Sequence, residues 1–555
     1  MKKIVYALLL CGLPLMINAQ EAFDVLQMSQ NDLRGTSRFQ SMAGAFGALG
    51  GDLSTMTQNP AGIGVYRNSD LGITLGVDFN SSKSGVDRIN ESKFNLNNLG
   101  YVGAIRLDSE AVPNLNFGFS YNRVKSYNRH YIGGVGDIPT SMSNFIADEF
   151  VNVNGFAAED LMWTDNFNPY FDYVYDDFLG RYKGYAPWAA VTTFDMPTTG
   201  DGYVGIINDR GDGSLYMQGL YGPGTTGNAY YEVDERGHAD EYNIAFGGNI
   251  SNKLYFGLDF GIMDLDFRSF QGYEEDLTNA YILADDQDLF YSEITNDHTG
   301  ANWGLYNYLH SEGTGINFKL GLIWKPTQTL RIGAAFHTPT YYDMRDTYYV
   351  GASLKAYQYG NMLYSAEKGS NDGYDYSSEY TIKTPWRFMG SVAGVIGKSG
   401  ILSLDYEYVA NQTMRVGDDH GDYQDVTYNI KNYVKPSHII RLGGEYRVNP
   451  NWSLRAGYSF KTSQVKKGVD NYEYNIVTVG TNPSYQYDNT VQHITCGVGY
   501  HYKSFYTDLA YVHQIRESVY NAFSPINDDL GYEPNVSADV KDNNNRLSLT
   551  LGVRF

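Results

Sequence analysis

The last ten residues of the chain alternate strictly between apolar and polar side chains. The apolar positions are Leu547, Leu549, Leu551, Val553 and Phe555, and Arg, Ser, Thr or Gly stands between them. Because successive side chains of a β-strand point to opposite faces, this segment forms a strand with one apolar and one polar face. Such a strand is suited to a boundary between a nonpolar medium and water.

The same alternation recurs upstream in pairs of segments that are joined by short polar turns. Residues 242–250 and 254–262 are joined by Ser251-Asn252-Lys253, and residues 316–324 and 330–336 are joined by 325–329. Each such pair predicts a β-hairpin. Four further pairs turn around Pro113, 397–400, 449–451 and 501–504.

Six hairpins supply 12 strands, and Leu71–Phe79 before them and Arg546–Phe555 after them bring the predicted count to 14. An even number returns the chain to the side on which it began. The connections on the opposite side include the long stretches 131–240, 273–310 and 346–375. Long connections on one side and short turns on the other are typical of a membrane β-barrel.

Composition excludes several other classes of protein. The chain carries 63 acidic and 41 basic residues, a formal net charge of -22, which argues against a nucleic-acid partner. The one segment that resembles a membrane helix is N-terminal: Lys2 and Lys3 precede the apolar stretch Ile4–Ile17, and Asn18-Ala19 follows it. This pattern predicts a cleaved signal peptide over residues 1–19 and therefore an exported protein.

An exported chain that lacks a spanning helix can cross a bilayer only as a closed barrel. The predicted fold class is therefore all-β, a transmembrane antiparallel β-barrel of 14 strands in the outer membrane of a Gram-negative bacterium. A soluble β-sandwich or propeller also alternates along short strands. The unequal connections and the terminal Phe555 favour the barrel.

Residues 20–68 do not alternate and are rich in small residues. They include the run Asn59-Pro60-Ala61-Gly62. Such a backbone packs closely against a wall, which predicts a plug in the barrel lumen, and a flexible periplasmic tail is the alternative. The predicted organisation is a signal peptide (1–19), an N-terminal hatch (20–68) and a barrel (69–555) with a long extracellular loop region (131–240).

The Asn59–Gly62 run resembles the end of the hatch in the FadL-type family of outer-membrane transporters of hydrophobic compounds. Phe336–Pro339, Thr384–Arg387 and Leu454–Val465 also resemble recurring segments of that family, as does the count of 14 strands. The region 131–240 is the main departure from it.

The resemblance implies a passive channel for hydrophobic compounds such as long-chain fatty acids. In that family the ligand is captured among extracellular loops, passes a hatch in the lumen and leaves sideways through a gap beside a kinked third strand. Its implied partners are these small molecules, outer-membrane lipid with lipopolysaccharide and, during biogenesis, the barrel assembly machinery. We expect a monomer.

The third predicted strand loses its alternation at Asn122-Arg123-Val124-Lys125. A slip of one residue reverses the two faces, as a bulge does, so these residues are candidates for the lateral opening. The alternative is that the strand has risen above the membrane. Candidate ligand contacts in the long loop, which otherwise pack the loop against itself, are Phe145, Ile146, Trp163, Phe167 and Trp188.

Enzymatic activity is not expected. The sequence contains neither H-E-x-x-H nor G-x-S-x-G, and its two G-x-G-x-x-G matches, at 200–205 and 222–227, do not open a helix after a strand. No cofactor and no metal site is predicted. Two alternatives to the hydrophobic-compound channel remain open: a hemin receptor of the same architecture, in which His337 or His493 would be the axial ligand, and a structural or adhesive barrel.

Overall fold

The computed structural model describes residues 22–147, 206–209, 215–283, 294–369, 376–418, 421–470, 482–528 and 531–555. Its main feature is an antiparallel sheet whose first and last strands pair with each other. Asp70 lies opposite Arg554, and Val77 lies opposite Leu547. The sheet therefore closes into a barrel without a free edge. The predicted signal peptide lies outside the described residues.

Fourteen spans make up the wall, and three of them consist of two collinear strands. The spans with two segments are β3 with β4, β8 with β9, and β10 with β11. The strands are β1 (Asp70–Ser84), β2 (Asp87–Arg106), β3 (Asn114–Ser126), β4 (Arg129–Val135), β5 (Thr226–Ile250), β6 (Leu254–Thr278), β7 (Thr299–Trp324), β8 (Leu330–His337), β9 (Tyr341–Gln358), β10 (Tyr376–Lys383), β11 (Arg387–Ile396), β12 (Gly400–Val409), β13 (Ser437–Arg447), β14 (Trp452–Lys461), β15 (Tyr485–Tyr502), β16 (Phe505–Asn521) and β17 (Ser537–Arg554).

The helices and minor strands are short and are not among the 14 spans of the wall. The helices are α1 (Ala22–Met28), α2 (Ser37–Ser41), α3 (Thr55–Gln58), α4 (Met142–Ala147), α5 (Gln424–Tyr433) and α6 (Lys467–Asp470), with 3-10 turns at Pro60–Val65 and Asn411–Thr413. The minor strands are Ile206–Asp209, Leu215–Gln218, Ile282–Leu283, Ile294–Thr295, Asn361–Gly369, Arg415–Asp418, Gly421–Asp422, Ile526–Asp528 and Gly531–Glu533. None of the helices in the described ranges is long and apolar enough to span a membrane.

The two faces of the wall follow the predicted alternation. On β17, Leu547, Leu549 and Leu551 are exposed on the outside, whereas Ser548 and Thr550 are buried towards the lumen. All six predicted hairpin turns are present at one end of the barrel. The predicted 14-stranded antiparallel barrel is confirmed.

The strands extend further than the apolar alternation indicated. β6 and β7 run for 25 and 26 residues, and β9 continues through much of 346–375, which was expected to be a loop. Strand residues also occupy both ends of 131–240, up to Val135 and again from Thr226. The physical reason is that the outward side chains there mix polar residues with aromatic ones, while inward side chains such as Leu305 and Val350 are buried, so the strands continue without the outward apolar alternation.

The N-terminal segment, residues 22–69, lies inside the barrel. Its Asn59 side chain accepts from the Ala61 amide at 3.1 Å and donates to the Gly47 carbonyl at 2.6 Å, which caps the 3-10 turn that Pro60 begins. Leu53, Met56 and Ile63 pack against the wall. The segment thus fills the lumen at the level of the membrane.

A ring of inward-facing glycines makes room for this segment. A methyl group on Gly118 would lie 2.7 Å from the Met56 sulfur, and one on Gly497 would lie 2.5 Å from Cβ of Ser41. The backbone of the segment therefore contacts the wall directly around much of its circumference. An added side chain would collide with the segment at ten glycines: Gly72, Gly100, Gly118, Gly247, Gly257, Gly321, Gly333, Gly443, Gly457 and Gly497.

Gly443→Val should displace the N-terminal segment without unfolding the barrel. The added Cβ would lie 2.5 Å from the Met42 carbonyl oxygen, which is backbone and cannot rotate away. We expect faster protease cleavage within residues 35–50 and a larger ion conductance in planar bilayers. The matched control is Gly444→Val, whose Cβ points outward and meets no atom closer than 3.7 Å. Equal protection of the segment in both variants would contradict the packing.

Candidate functional site

A cavity of about 110 Å³ lies between the N-terminal segment and the wall. The segment contributes Gln30–Arg34 and the pair Thr57-Gln58, and the kink of β3 contributes Asn122, Arg123 and Val124. His337 and His493 face the same space from opposite strands. The structure thus brings together the predicted lateral-opening residues and both predicted histidines, which are far apart in sequence.

The cavity is strongly cationic, although the chain as a whole carries a formal net charge of -22. Six lining residues are basic, and Asp32 and Glu407 are the acidic ones. Cations gathered in a confined space attract an anionic group strongly, since the field there is poorly screened. The basic lining residues are Arg34, Arg123, Arg387, Arg441, Lys461 and Arg516.

Several of these cations are already neutralised by carboxylates. Glu407 accepts from Arg387 at 3.2 Å and from Arg441 at 2.5 Å. Lys461 is different: its Nζ donates to the amide oxygen of Gln30 at 2.9 Å, and no carboxylate within the described ranges forms an ion pair with it. The Nη1 atom of Arg441 also lacks a hydrogen-bond partner there.

Arg516 is only weakly paired as well. The nearest carboxylate oxygens, those of Asp32 and Asp488, lie 3.7 and 3.9 Å away, and its Nε atom has no hydrogen-bond partner in the described structure. Lys461 and Arg516 are therefore the cations of the cavity whose hydrogen-bonding capacity is most available to a ligand.

Asp32 ties the N-terminal segment to the kinked strand. Its amide donates to the Val124 carbonyl at 2.8 Å, and its carboxylate accepts from the Ser126 amide at 3.2 Å. Lys125 Nζ lies 3.3 Å from the same carboxylate. Burial raises the pKa of Asp32, but Lys125, Arg34 and Arg516 outweigh it and hold that pKa far below its ordinary value.

The wall is incomplete beside this kink. Pairing between β2 and β3 ends at Asn98 opposite Asn122, although both strands continue beyond that point. The register between β3 and β5 shifts between Arg123 and Lys125, which leaves Val124 as the extra residue of a bulge. Above the bulge, β4 pairs with β5 and the rest of β2 pairs with β1.

Arg123 crosses the gap between the two strands. Its guanidinium donates to both carboxylate oxygens of Asp240 on β5, at 2.9 and 3.0 Å, and to the side-chain oxygen of Asn95 on β2, also at 2.9 Å. A bidentate guanidinium–carboxylate pair is geometrically specific. In this conformation the gap is bridged by a side chain rather than by backbone pairing.

The remaining predicted residues lie elsewhere. Phe145 and Ile146 are buried in α4, where Phe145 stacks on Phe523 with 5.5 Å between the ring centroids. Trp163, Phe167 and Trp188 lie outside the described residues, so their contact with a ligand stays a prediction. Asn59–Gly62 pack against β7 and β8, with the amide of Asn59 within 3.4 Å of the Leu322 and Ala334 carbonyls.

The two histidines are engaged in hydrogen bonds. Nε2 of His337 lies 2.7 Å from the Gln58 carbonyl, and Nδ1 of His493 lies 3.0 Å from the Ser459 hydroxyl. Pockets for drug-sized ligands span roughly 300–1,000 Å³, so neither imidazole faces a space suited to a porphyrin. In the described ranges no group of three or more His, Cys, Asp or Glu is arranged to hold a metal ion.

Sequence reasoning missed the residues that give the cavity its charge. Asp32 and Arg34 lie in the segment without alternation, where no periodicity marks a face. Lys461 and Arg516 stand at inward positions of predicted strands, and a search for inward-facing basic residues would have found them.

The closed barrel, its apolar outer band and the internal N-terminal segment define a class of protein, the outer-membrane β-barrel with a filled lumen. The model of the family described as "Outer membrane protein transport protein (OMPP1/FadL/TodX)" matches residues 237–505, just under half of the chain. Residues 237–505 are therefore similar to this family, which confirms the resemblance found in the sequence.

Solved structures are also similar to this chain. A FadL homologue from Pseudomonas aeruginosa superimposes with a TM-score of 0.50 at 12% identity, covering 95% of this chain and 100% of that one. The toluene transporter TbuX of Ralstonia pickettii gives a TM-score of 0.42 at 14% identity, covering 94% of this chain and 99% of that one. The corresponding values for TodX of P. putida are 0.42, 12%, 94% and 99%. No curated protein matches the sequence.

Asp32→Asn should loosen the N-terminal segment. Removing one partner of a buried ion pair costs about 3 kcal/mol or more, because buried charges stay unpaired. We expect hydrogen exchange of the amides in 22–34 and 124–127 to accelerate accordingly at pH 7, with Asp343→Asn on the outer face as control.

The loss of stability caused by Asp32→Asn should depend on pH, because the pKa of Asp32 is lowered in the folded protein. The carboxylate stabilises fully above its unfolded pKa of about 3.9, and this stabilisation disappears as the pH falls through the lower folded value. The difference in exchange between the variant and the native chain should therefore shrink below about pH 4. A difference that grows on acidification would contradict the assignment.

Proposed function

We propose that the protein is a passive outer-membrane channel for hydrophobic compounds that carry an anionic head group, such as long-chain fatty acids. The observation that carries this proposal is the cationic cavity beside the N-terminal segment, in which Lys461 and Arg516 are the least neutralised basic groups. A carboxylate placed there would accept charge-assisted hydrogen bonds. A neutral hydrocarbon would gain nothing from these cations.

The alkyl tail requires additional space. The cavity of about 110 Å³ accommodates a head group and few further atoms. Burial of the tail is worth roughly 25 cal/mol per Å² of apolar surface, so an apolar path that adjoins the cavity is favoured. The N-terminal segment is the hatch in this proposal, and its displacement creates that path.

The proposed exit is lateral, through the gap between β2 and β3. Two contacts hold the gap and the hatch in the closed state: Arg123 bridges Asp240 and Asn95, and Asp32 binds Val124, Lys125 and Ser126. Both sets of contacts involve the segment 122–125, which contains the bulge at Val124. Movement of the hatch therefore removes the inner support of the bulge, and the ligand passes into the membrane without any energy source other than its own gradient.

Lys461→Gln should weaken binding of oleate by about tenfold or more, since a hydrogen bond to a charged group contributes about 1.5–3 kcal/mol. Binding of oleyl alcohol, which has the same tail without the charge, should be unchanged. Calorimetry on detergent-solubilised protein measures both affinities, with the exposed Lys541→Gln as control. An equal loss for oleate and oleyl alcohol would show that Lys461 acts on the fold rather than on the head group.

Arg123→Ala should accelerate uptake of oleate by cells, because it removes the side chain that bridges the gap. The matched control is Arg268→Ala on the outer face, since Arg268 likewise forms an ion pair with a neighbouring carboxylate, that of Asp266 at 3.3 Å. Uptake unchanged by Arg123→Ala, in protein that folds and inserts normally, would refute the lateral exit at this position.

A further inference from the structure

The outer face of β6, β7 and β9 carries two apolar regions rather than one. The membrane-facing region ends at the row formed by Ile262, Ile316 and Tyr341, which lie side by side on the three strands. Above it are three rows without a large apolar side chain. These rows are Asp264–Thr314–Asp343, Asp266–Glu312–Arg345 and Arg268–His310–Thr347.

Above this polar belt stands a second row of three rings, formed by Phe270, Tyr308 and Tyr349. Phe270 is 36% exposed and Tyr308 is 40% exposed. Tyr306 and Tyr230 stand in the next two rows, and Tyr230 is 53% exposed. We name these five residues the upper aromatic patch.

Glycines lie beside the rings of the patch. A methyl group on Gly272 would lie 3.6 Å from the ring of Phe270 and 3.7 Å from the ring of Tyr306, and one on Gly134 would lie 3.3 Å from the ring of Tyr230. The hydroxyl of Tyr306 donates to Glu274 at 2.8 Å, which holds that ring over the sheet. The rings of Phe270 and Tyr306 therefore lie on either side of Gly272 with no side chain between them.

Carboxylates border the patch. Glu232 stands beside Gly272, Asp234 stands beside Phe270, and Glu274 stands beside Tyr230. A carboxylate has several acceptor sites, so each of these groups can accept a hydrogen bond from a further hydroxyl while already holding one partner. Asp234 is already paired with Arg236, whose Nε lies 2.7 Å from its carboxylate, so a neutral ligand rich in hydroxyls suits this border better than an anion.

The height of the patch above the membrane-facing region determines which molecules can contact it. Eight residues separate Tyr308 from Ile316 on β7, which is about 27 Å along a strand and about 20 Å along the membrane normal for the usual tilt of a barrel strand. A surface at this level lies above the lipid head groups. Aromatic faces edged by hydrogen-bond acceptors match a sugar ring, which has apolar C–H faces and a rim of hydroxyls.

We infer that the upper aromatic patch binds the neutral saccharide chain of lipopolysaccharide molecules that surround the barrel in the outer leaflet. The rings stack on the sugar faces, and Glu232, Asp234 and Glu274 accept hydrogen bonds from the hydroxyls. The polar belt below the patch faces the head groups. This binding surface is independent of the lumen and of the transported compound.

The test uses the full-length protein in detergent and polysaccharide released by mild acid from the lipopolysaccharide of the host. The native protein should bind this polysaccharide, and the double variant Phe270→Ser with Tyr308→Ser should bind it at least about tenfold more weakly, since two stacking contacts are lost. Surface plasmon resonance measures the affinities. Heat-dependent gel migration and circular dichroism verify that the variant retains its barrel.

Two controls make the outcome decisive. Tyr359→Ser with Tyr428→Ser removes two exposed aromatic side chains outside the patch and should leave binding unchanged. The native protein and the variant Phe270→Ser with Tyr308→Ser should bind lipopolysaccharide that is truncated to its lipid and inner core with equal affinity. Equal binding of the released polysaccharide by the native protein and that variant, no binding by either, or equally tight binding of dextran by the native protein would each overturn the inference.

Discussion

Closure of the sheet is the constraint on which the rest of the structure depends. In a bilayer an unpaired backbone amide or carbonyl costs several kcal/mol, so the first and last strands must find each other. Here β1 and β17 pair from Asp70–Arg554 to Ser84–Val540. Closure creates a lumen, and the lumen must be filled or it conducts. The glycine ring and the N-terminal segment are therefore one feature: the wall gives up side chains where the backbone of the segment takes their place.

The same constraint explains why the gap between β2 and β3 is filled by side-chain contacts. Strand edges that lack backbone partners carry an energetic cost, and here they coincide with a bulge, a bridging arginine and a contact from the N-terminal segment. The polar contacts that satisfy these edges are side-chain contacts, which can exchange more readily than a paired ladder. The gap between β2 and β3 is therefore a site at which the wall can change conformation.

The sequence predicted the parts of this structure that follow from periodicity. Alternation located all six hairpins and the closing strand, because each lipid-facing residue must be apolar. It also marked the slip at Asn122–Lys125. It stopped short of the true strand ends, since residues such as Asp264 and Glu312 face outward above the membrane, where no apolar medium selects their type.

The cavity could not be predicted in the same way, because its residues meet only after the chain folds back on itself. Asp32 contacts Lys125 and Arg516, which are separated from it by 93 and 484 positions, and no periodicity relates them. Charge is equally hard to infer from composition: the chain carries an excess of acids, yet six basic and two acidic residues line this cavity. Acids such as Asp78, Glu241 and Asp405 are buried elsewhere in the barrel, so the excess of bases is a local property of this cavity. A cationic space can therefore arise inside a chain whose net charge is strongly negative.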